Sequence, residues 1–102
     1  MVRVGFIMRL KHGNEAAYRQ KHAEIWPEMV DALHRLGIRN YSIFLHDLTL
    51  FAYYETDDPD KVAEQVNDPT VRRWWVMMQP FMEYNADGTP WSQSIDEVFH
   101  LD

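Results

Sequence analysis

The chain predicts an α+β fold of βαββαβ order, the ferredoxin-like split βαβ arrangement. Three observations predict it. Stretches with an apolar residue at every second position open and close the sequence and form a pair in its middle. Stretches with apolar residues at steps of three and four lie between them. Asp-Pro pairs and a glycine punctuate the boundaries, as helix starts and stops do. In such a fold the helices cover one face of the sheet. The other face also carries apolar residues, so pairing of two copies into a dimeric α/β barrel is the expected way to cover it.

The elements follow in order. Val4, Phe6, Met8 and Leu10 alternate with Arg3, Gly5, Ile7 and Arg9, which predicts a strand over 2–10. Lys11-His12-Gly13-Asn14 is a turn, with Asn14 placed to cap the helix that follows. Tyr18, His22, Ile25, Met29, Leu33 and Leu36 then make one helical stripe, with Trp26 and Val30 alongside. Pro27 interrupts it, because its ring meets the carbonyl of Ala23 and it has no N–H to donate there. A kink or break near Trp26 is expected, and Gly37 is the stop.

Residues 38–45 and 50–55 read as two strands, with Tyr41, Ile43 and Leu45 opposing Ile38 and Phe44. The short link His46-Asp47-Leu48-Thr49 makes the two a hairpin. Asp58-Pro59 and Asp68-Pro69 each pair a cap with a proline at the first helical position. The apolar positions are Val62, Ala63 and Val66 in the first helix and Val71, Trp74, Trp75 and Met78 in the second. Pro80 ends the latter. Residues 80–92 read as a long loop, a length often reserved for function. A final strand is expected over 93–101, with Ile95, Glu97, Phe99 and Leu101 on one face.

With 102 residues, 46% of them hydrophobic, the sequence suits a single domain spanning 1–102. Net charge is −6, and no basic cluster is longer than Arg72-Arg73. Phosphate attraction dominates nucleic-acid affinity, so a nucleic-acid partner is not expected. No cysteine is present, which excludes disulfides, thiolate zinc sites and a thiol nucleophile. The opening residues are short apolar runs broken by arginines, unlike a signal peptide or membrane span, so no membrane partner and a cytoplasmic location are expected.

Without cysteine, the five histidines are the first candidates for chemistry. His12, His34, His46 and His100 sit at turns or solvated positions. His22 lies on the apolar helical stripe, four residues after Tyr18, so the two side chains share a face. A buried histidine is often satisfied by a backbone carbonyl and nothing more. A hydroxyl one turn away and an imidazole that titrates near neutrality also fit a proton shuttle. Trp74 and Trp75 point about 100° apart on a helix. They are either one core and one rim residue or a stacking wall for the flat C–H face of a sugar ring. No metal-ligand spacing emerges: His22 and Glu24 diverge on a helix, and no third ligand joins them. Met77-Met78 and Met8 with Met82 read as core filler.

Taken together these segments resemble the L-rhamnose mutarotases. Val4-Gly5-Phe6-Ile7-Met8, then Tyr18-Arg19-Gln20-Lys21-His22 leading into Ile25-Trp26-Pro27-Glu28, is similar to the opening of that family. Asn40-Tyr41-Ser42-Ile43-Phe44-Leu45 is similar to its second strand, Arg73-Trp74-Trp75 with Met77-Met78 to its tryptophan-pair helix, and Glu97-Val98-Phe99-His100-Leu101 to its closing strand. The resemblance implies a homodimer that interconverts the α and β anomers of L-rhamnose, or of a similar deoxy sugar. It implies acid–base chemistry with no cofactor and no metal. The family's proton donor falls on His22, and its sugar contacts fall on Tyr18, Tyr41, Trp74 and Trp75. Two rivals remain at this stage: a cofactor-free monooxygenase or haem-degrading relative on the same fold, and a small-ligand-binding dimeric module without catalysis.

Overall fold

A computed structural model describes all 102 residues, Met1–Asp102. Strand β1 (Val2–Arg9) leads to helices α1 (Glu15–Ala23) and α2 (Pro27–Arg35), then to strands β2 (Arg39–His46) and β3 (Thr49–Thr56). Helix α3 (Pro59–Ala63), a 3-10 turn over Glu64–Asn67, helix α4 (Pro69–Met78), a second 3-10 turn over Gln79–Phe81 and strand β4 (Gln93–Ile95) complete the chain. The four strands form one antiparallel sheet in the order β2-β3-β1-β4. Strand β3 thus lies between β1 and β2, the split βαβ topology that the element order predicted.

Met8 and Leu10 from the β1 side, Leu50 and Ala52 from β3, Tyr18, Met29 and Ala32 from α1 and α2, and Val71, Trp74 and Met78 from α4 pack into one core. Met82 joins them, so the methionine pairs are core filler except for Met77, which is half-buried at the rim. The α1–α2 boundary shows what Pro27 does: the helix breaks completely, and the proline opens the second segment at a position where its missing N–H costs nothing. Gly37 ends α2 with φ +85°, where a Cβ would be strained. Asp58 and Asp68 cap α3 and α4 by accepting from the amides of Lys61 and of Thr70 and Val71.

Several expectations need correction. Asn14 stands at the start of α1 but makes no side-chain cap; its amide donates instead to the carbonyls of Lys11 and His12. Leu10 falls outside β1 and forms an isolated bridge with Met82. The Asp58 helix stops at Ala63 and tightens into a 3-10 turn, so Val62 is buried while Ala63 and Val66 stay exposed. Alternation along β2 is reset by a bulge between Arg39 and Ser42, where Asn40 adopts φ +50°. Residues 80–92 are not a featureless loop. Tyr84 bridges to Pro90, Trp91 N–H donates to Glu83 O, and Asn85 N–H donates to Thr89 O, which makes a small hairpin.

The last strand is the largest departure. It covers Gln93–Ile95 only, paired with Ile7, Phe6 and Gly5, and the chain leaves the ladder although Val4, Arg3 and Val2 of β1 continue past that point. Beyond it Glu97 still holds Arg3 in a two-point ion pair at 2.7 and 2.9 Å. Val98, Phe99 and Leu101 face solvent, Val98 being 94% exposed. The alternation read there describes apolar residues that find no cover within the chain.

Candidate active site

Tyr18 and His22 lie one turn apart on α1, and the helical period brings their rings together. They stack with centroids 4.2 Å apart and planes at 27°. The Nδ1 atom of His22 lies 3.1 Å from the carbonyl oxygen of Tyr18. A carbonyl only accepts, so Nδ1 carries the hydrogen and donates it. Nε2, across the ring, then keeps its lone pair. Burial lowers the His22 pKa from its ordinary value, and the bond to the Tyr18 carbonyl opposes this only in part. The imidazole is therefore neutral near pH 7.

The edge of His22 meets Trp74, with centroids 5.4 Å apart and planes at 88°. Trp26 meets the same indole at 5.1 Å and 90°. Trp74 is buried, whereas its neighbour Trp75 is half-buried beneath the guanidinium of Arg72, 5.5 Å from the ring centroid. Tyr41 lies within the β2 bulge, and it packs against Phe6 and Tyr54 at 6.5 and 5.8 Å. Tyr41 is 36% exposed as a residue, yet burial around its hydroxyl raises its pKa above the usual phenol value. Burial does the same to Tyr18, with Tyr41 and Tyr84 adding to the effect.

All five expected site residues, Tyr18, His22, Tyr41, Trp74 and Trp75, line one cavity of about 750 Å³ between the helices and the sheet. Most of the lining is apolar or aromatic, and the polar side chains in it are few. That is the usual make-up of a small-molecule site: aromatic faces for contact, a handful of polar groups for orientation. The two readings of His22 turn out to be compatible, because it satisfies a backbone carbonyl through one nitrogen and leaves the other free. The tryptophan pair likewise divides into one buried and one half-buried ring, and both border the cavity. His12, His34 and His46 are exposed, and His100 pairs with Asp102 at 2.8 Å in the exposed tail. No His, Asp and Glu side chains gather in threes to hold a metal ion.

The sequence profile of the L-rhamnose mutarotases matches residues 3–101. The chain belongs to the L-rhamnose mutarotase family. It is 43% identical over 104 aligned positions to an L-rhamnose mutarotase of Lactiplantibacillus plantarum, and the match covers all of both chains. The crystal structure of an L-rhamnose mutarotase from Formosa agariphila superposes with a TM-score of 0.91 at 33% identity, again over the whole of both chains. A tetracenomycin F2 cyclase from Streptomyces glaucescens shares the fold alone, with a TM-score of 0.70 at 13% identity over all of this chain and 98% of the cyclase.

This mutarotase cavity also takes in Arg19, Gln65 and Tyr84, which the sequence did not single out. Arg19 and Gln65 carry no signal beyond their polarity. Tyr84 had one: it lies in the segment whose length alone suggested function. What the sequence lacked was the fold of that segment, which brings Tyr84 back against α4.

Proposed function

We propose that this chain interconverts the α and β anomers of L-rhamnose by acid–base ring opening and closure, with His22 as the proton-transfer group. The observation that carries the reading is the geometry of His22. Its Nδ1–H is committed to the Tyr18 carbonyl, and the ring borders the cavity beside Trp74. Neutral Nε2 takes the proton of the anomeric hydroxyl as the bond from C1 to the ring oxygen breaks, and a water molecule gives the ring oxygen a proton and becomes hydroxide. The open aldehyde turns about its C1–C2 bond. The ring oxygen then attacks the other carbonyl face and returns its proton to that hydroxide, and O1 takes back the proton held by the imidazolium. Protons balance, and the imidazolium formed in one half-reaction is the donor in the other. Positioned proton transfer of this kind contributes about 10²–10⁴-fold. No electron leaves the sugar, so the steps ask nothing of a redox group.

Trp74 and Trp75 supply an aromatic wall for the C–H face of the sugar, and the Tyr18 and Tyr41 hydroxyls hold its polar edge. Full-length kinship at 43% identity favours this reading over the monooxygenase and binding-module rivals, and treats 1–102 as one mutarotase domain. Exchange NMR of L-rhamnose anomers with catalytic amounts of protein tests it. Faster exchange is expected; exchange at the buffer rate, with the sugar bound or not, would overturn it.

The same reading makes the protein a homodimer. The sheet face away from the helices carries Phe44, Phe51 and Ile95, which are 66%, 41% and 44% exposed. The tail beyond β4 adds Val98, Phe99 and Leu101, and an isologous contact between two copies would cover both sets at once.

A further inference from the structure

Tyr84 plays no part in the reaction above, yet it joins two parts of the site. Its backbone belongs to the 83–91 hairpin, through the Tyr84–Pro90 bridge and the bond from Trp91 N–H to Glu83 O. Its hydroxyl donates to the carbonyl of Trp75 on α4 at 2.6 Å. Local chemistry explains why that end of α4 takes a side-chain bond. Pro80 has no N–H to offer the carbonyl of Val76, and the amide of Gln79 bonds Val76 instead, in the tighter 3-10 manner. The phenol of Tyr84 reaches back from the hairpin to the carbonyl one residue earlier.

A second tie runs in parallel. Arg72 Nη1 donates to the carbonyl of Asp87 at the hairpin tip, its Nε donates to Val66 O at 2.6 Å, and its guanidinium carbon lies over the Trp75 ring, 5.5 Å from the centroid. The tip is itself rigid: Asp87 accepts from both the amide and the hydroxyl of Thr89, and Gly88 takes φ +84°. Trp75 is therefore gripped through its backbone by Tyr84 and across its ring by Arg72. Tyr84 also lines the cavity, together with Tyr18 and Trp75. Its single proton is spent on Trp75, so on any other side its oxygen can only accept.

We propose that Tyr84 is a positioning residue of this site: its hydroxyl clamps the 83–91 hairpin to α4 and fixes the Trp75 indole where the sugar ring packs. The inference rests on the mutarotase reading for its kinetic consequence. The clamp itself has a readout that needs no sugar.

Tyr84→Phe keeps the ring and removes the clamp. In the sugar-free protein the backbone carbonyl signal of Trp75 should shift, and its indole N–H signal should broaden. In anomer exchange the KM should rise by about threefold or more while kcat stays within about twofold, because uniform binding is lost and proton transfer is not. p-Aminophenylalanine at this position restores a donor and should restore the KM. In a Trp75→Phe background the same change should add little, since the residue it acts through is gone. An unchanged Trp75 carbonyl signal overturns the clamp. A shifted signal with wild-type KM, or a KM effect that persists in the Trp75→Phe background, overturns the positioning role. Failure of the unmodified protein to speed anomer exchange would strike at the mutarotase reading instead, and the carbonyl measurement would still decide the clamp.

Discussion

At position 22 one hydrogen bond decides which nitrogen can take a proton. The Tyr18 carbonyl fixes the Nδ1–H tautomer, so the free lone pair is on Nε2, where the proposed proton transfer would take place. His22→Ala should slow anomer exchange by about tenfold or more while circular dichroism stays native; wild-type exchange in that variant would remove His22 from the mechanism. The pH profile follows from the direction of the pKa shift. Burial keeps the folded His22 pKa below its ordinary value. The rate should therefore be level through neutrality and fall only in acid below about 6.5, as Nε2 becomes protonated. Stability carries the same sign. The unfolded chain binds this proton more readily, so the His22 contribution is complete above about 6.5 and is lost as pH falls through the folded pKa. A rate that already declines above pH 7 would contradict this.

Helix α4 carries both tryptophans that border the cavity, and its two ends are held by different devices. At the start, Asp68 accepts from the amides of Thr70 and Val71 and pairs with Arg35 of α2 at 2.6 Å. Burial works against this carboxylate, but Arg35 and the two amides outweigh it and keep its pKa below the usual range. Asp68→Ala removes the cap and should cost about 1–2 kcal/mol in urea unfolding; a loss well under that would show that the Asp-Pro start is redundant here. The two tryptophans differ in depth along the same helix, Trp74 buried and Trp75 half-buried. Trp74 is the deeper ring, so Trp74→Phe should lower the melting temperature as well as weaken sugar binding. Trp75→Phe should chiefly raise the sugar concentration for half-maximal rate. If L-rhamnose changes neither tryptophan emission nor its quenching, and both Phe variants saturate normally, the aromatic wall is wrong.

The whole molecule leaves an unusual amount of apolar surface uncovered. Phe44, Phe51, Ile95, Val98, Phe99 and Leu101 all exceed two-fifths exposure, and they occupy the open sheet face and the tail. Isolated exposed apolar residues are ordinary, but a run of this kind marks an interaction surface. Sedimentation at micromolar concentration should give about twice the 12.2 kDa mass of one chain. Phe51→Lys together with removal of residues 98–102 should shift the population toward the single chain; a stable wild-type monomer would sink the dimer.

Periodicity and punctuation were enough to order the elements along the chain. The break at Pro27, the stop at Gly37 and the caps at Asp58 and Asp68 depend on chemistry within a few residues, so they are legible locally. The pairing of Tyr18 with His22 is legible for the same reason, since residues four apart on a helix must meet. Alternation failed where it needed a partner the chain does not supply. The strand expected over 93–101 leaves the β1 ladder after Ile95 while the apolar pattern continues, so alternation alone did not report the pairing. The β2 bulge that holds Tyr41 was hidden because it depends on the register against β3, and the 83–91 hairpin was hidden because it lacks the alternating apolar pattern that marks a strand pair. Tertiary structure alone gathered residues from α1, β2 and α4 around one cavity and returned Tyr84 to the carbonyl of Trp75. Local sequence sets the side chains available to a helix or strand, whereas the burial of apolar faces against one another decides which of them meet.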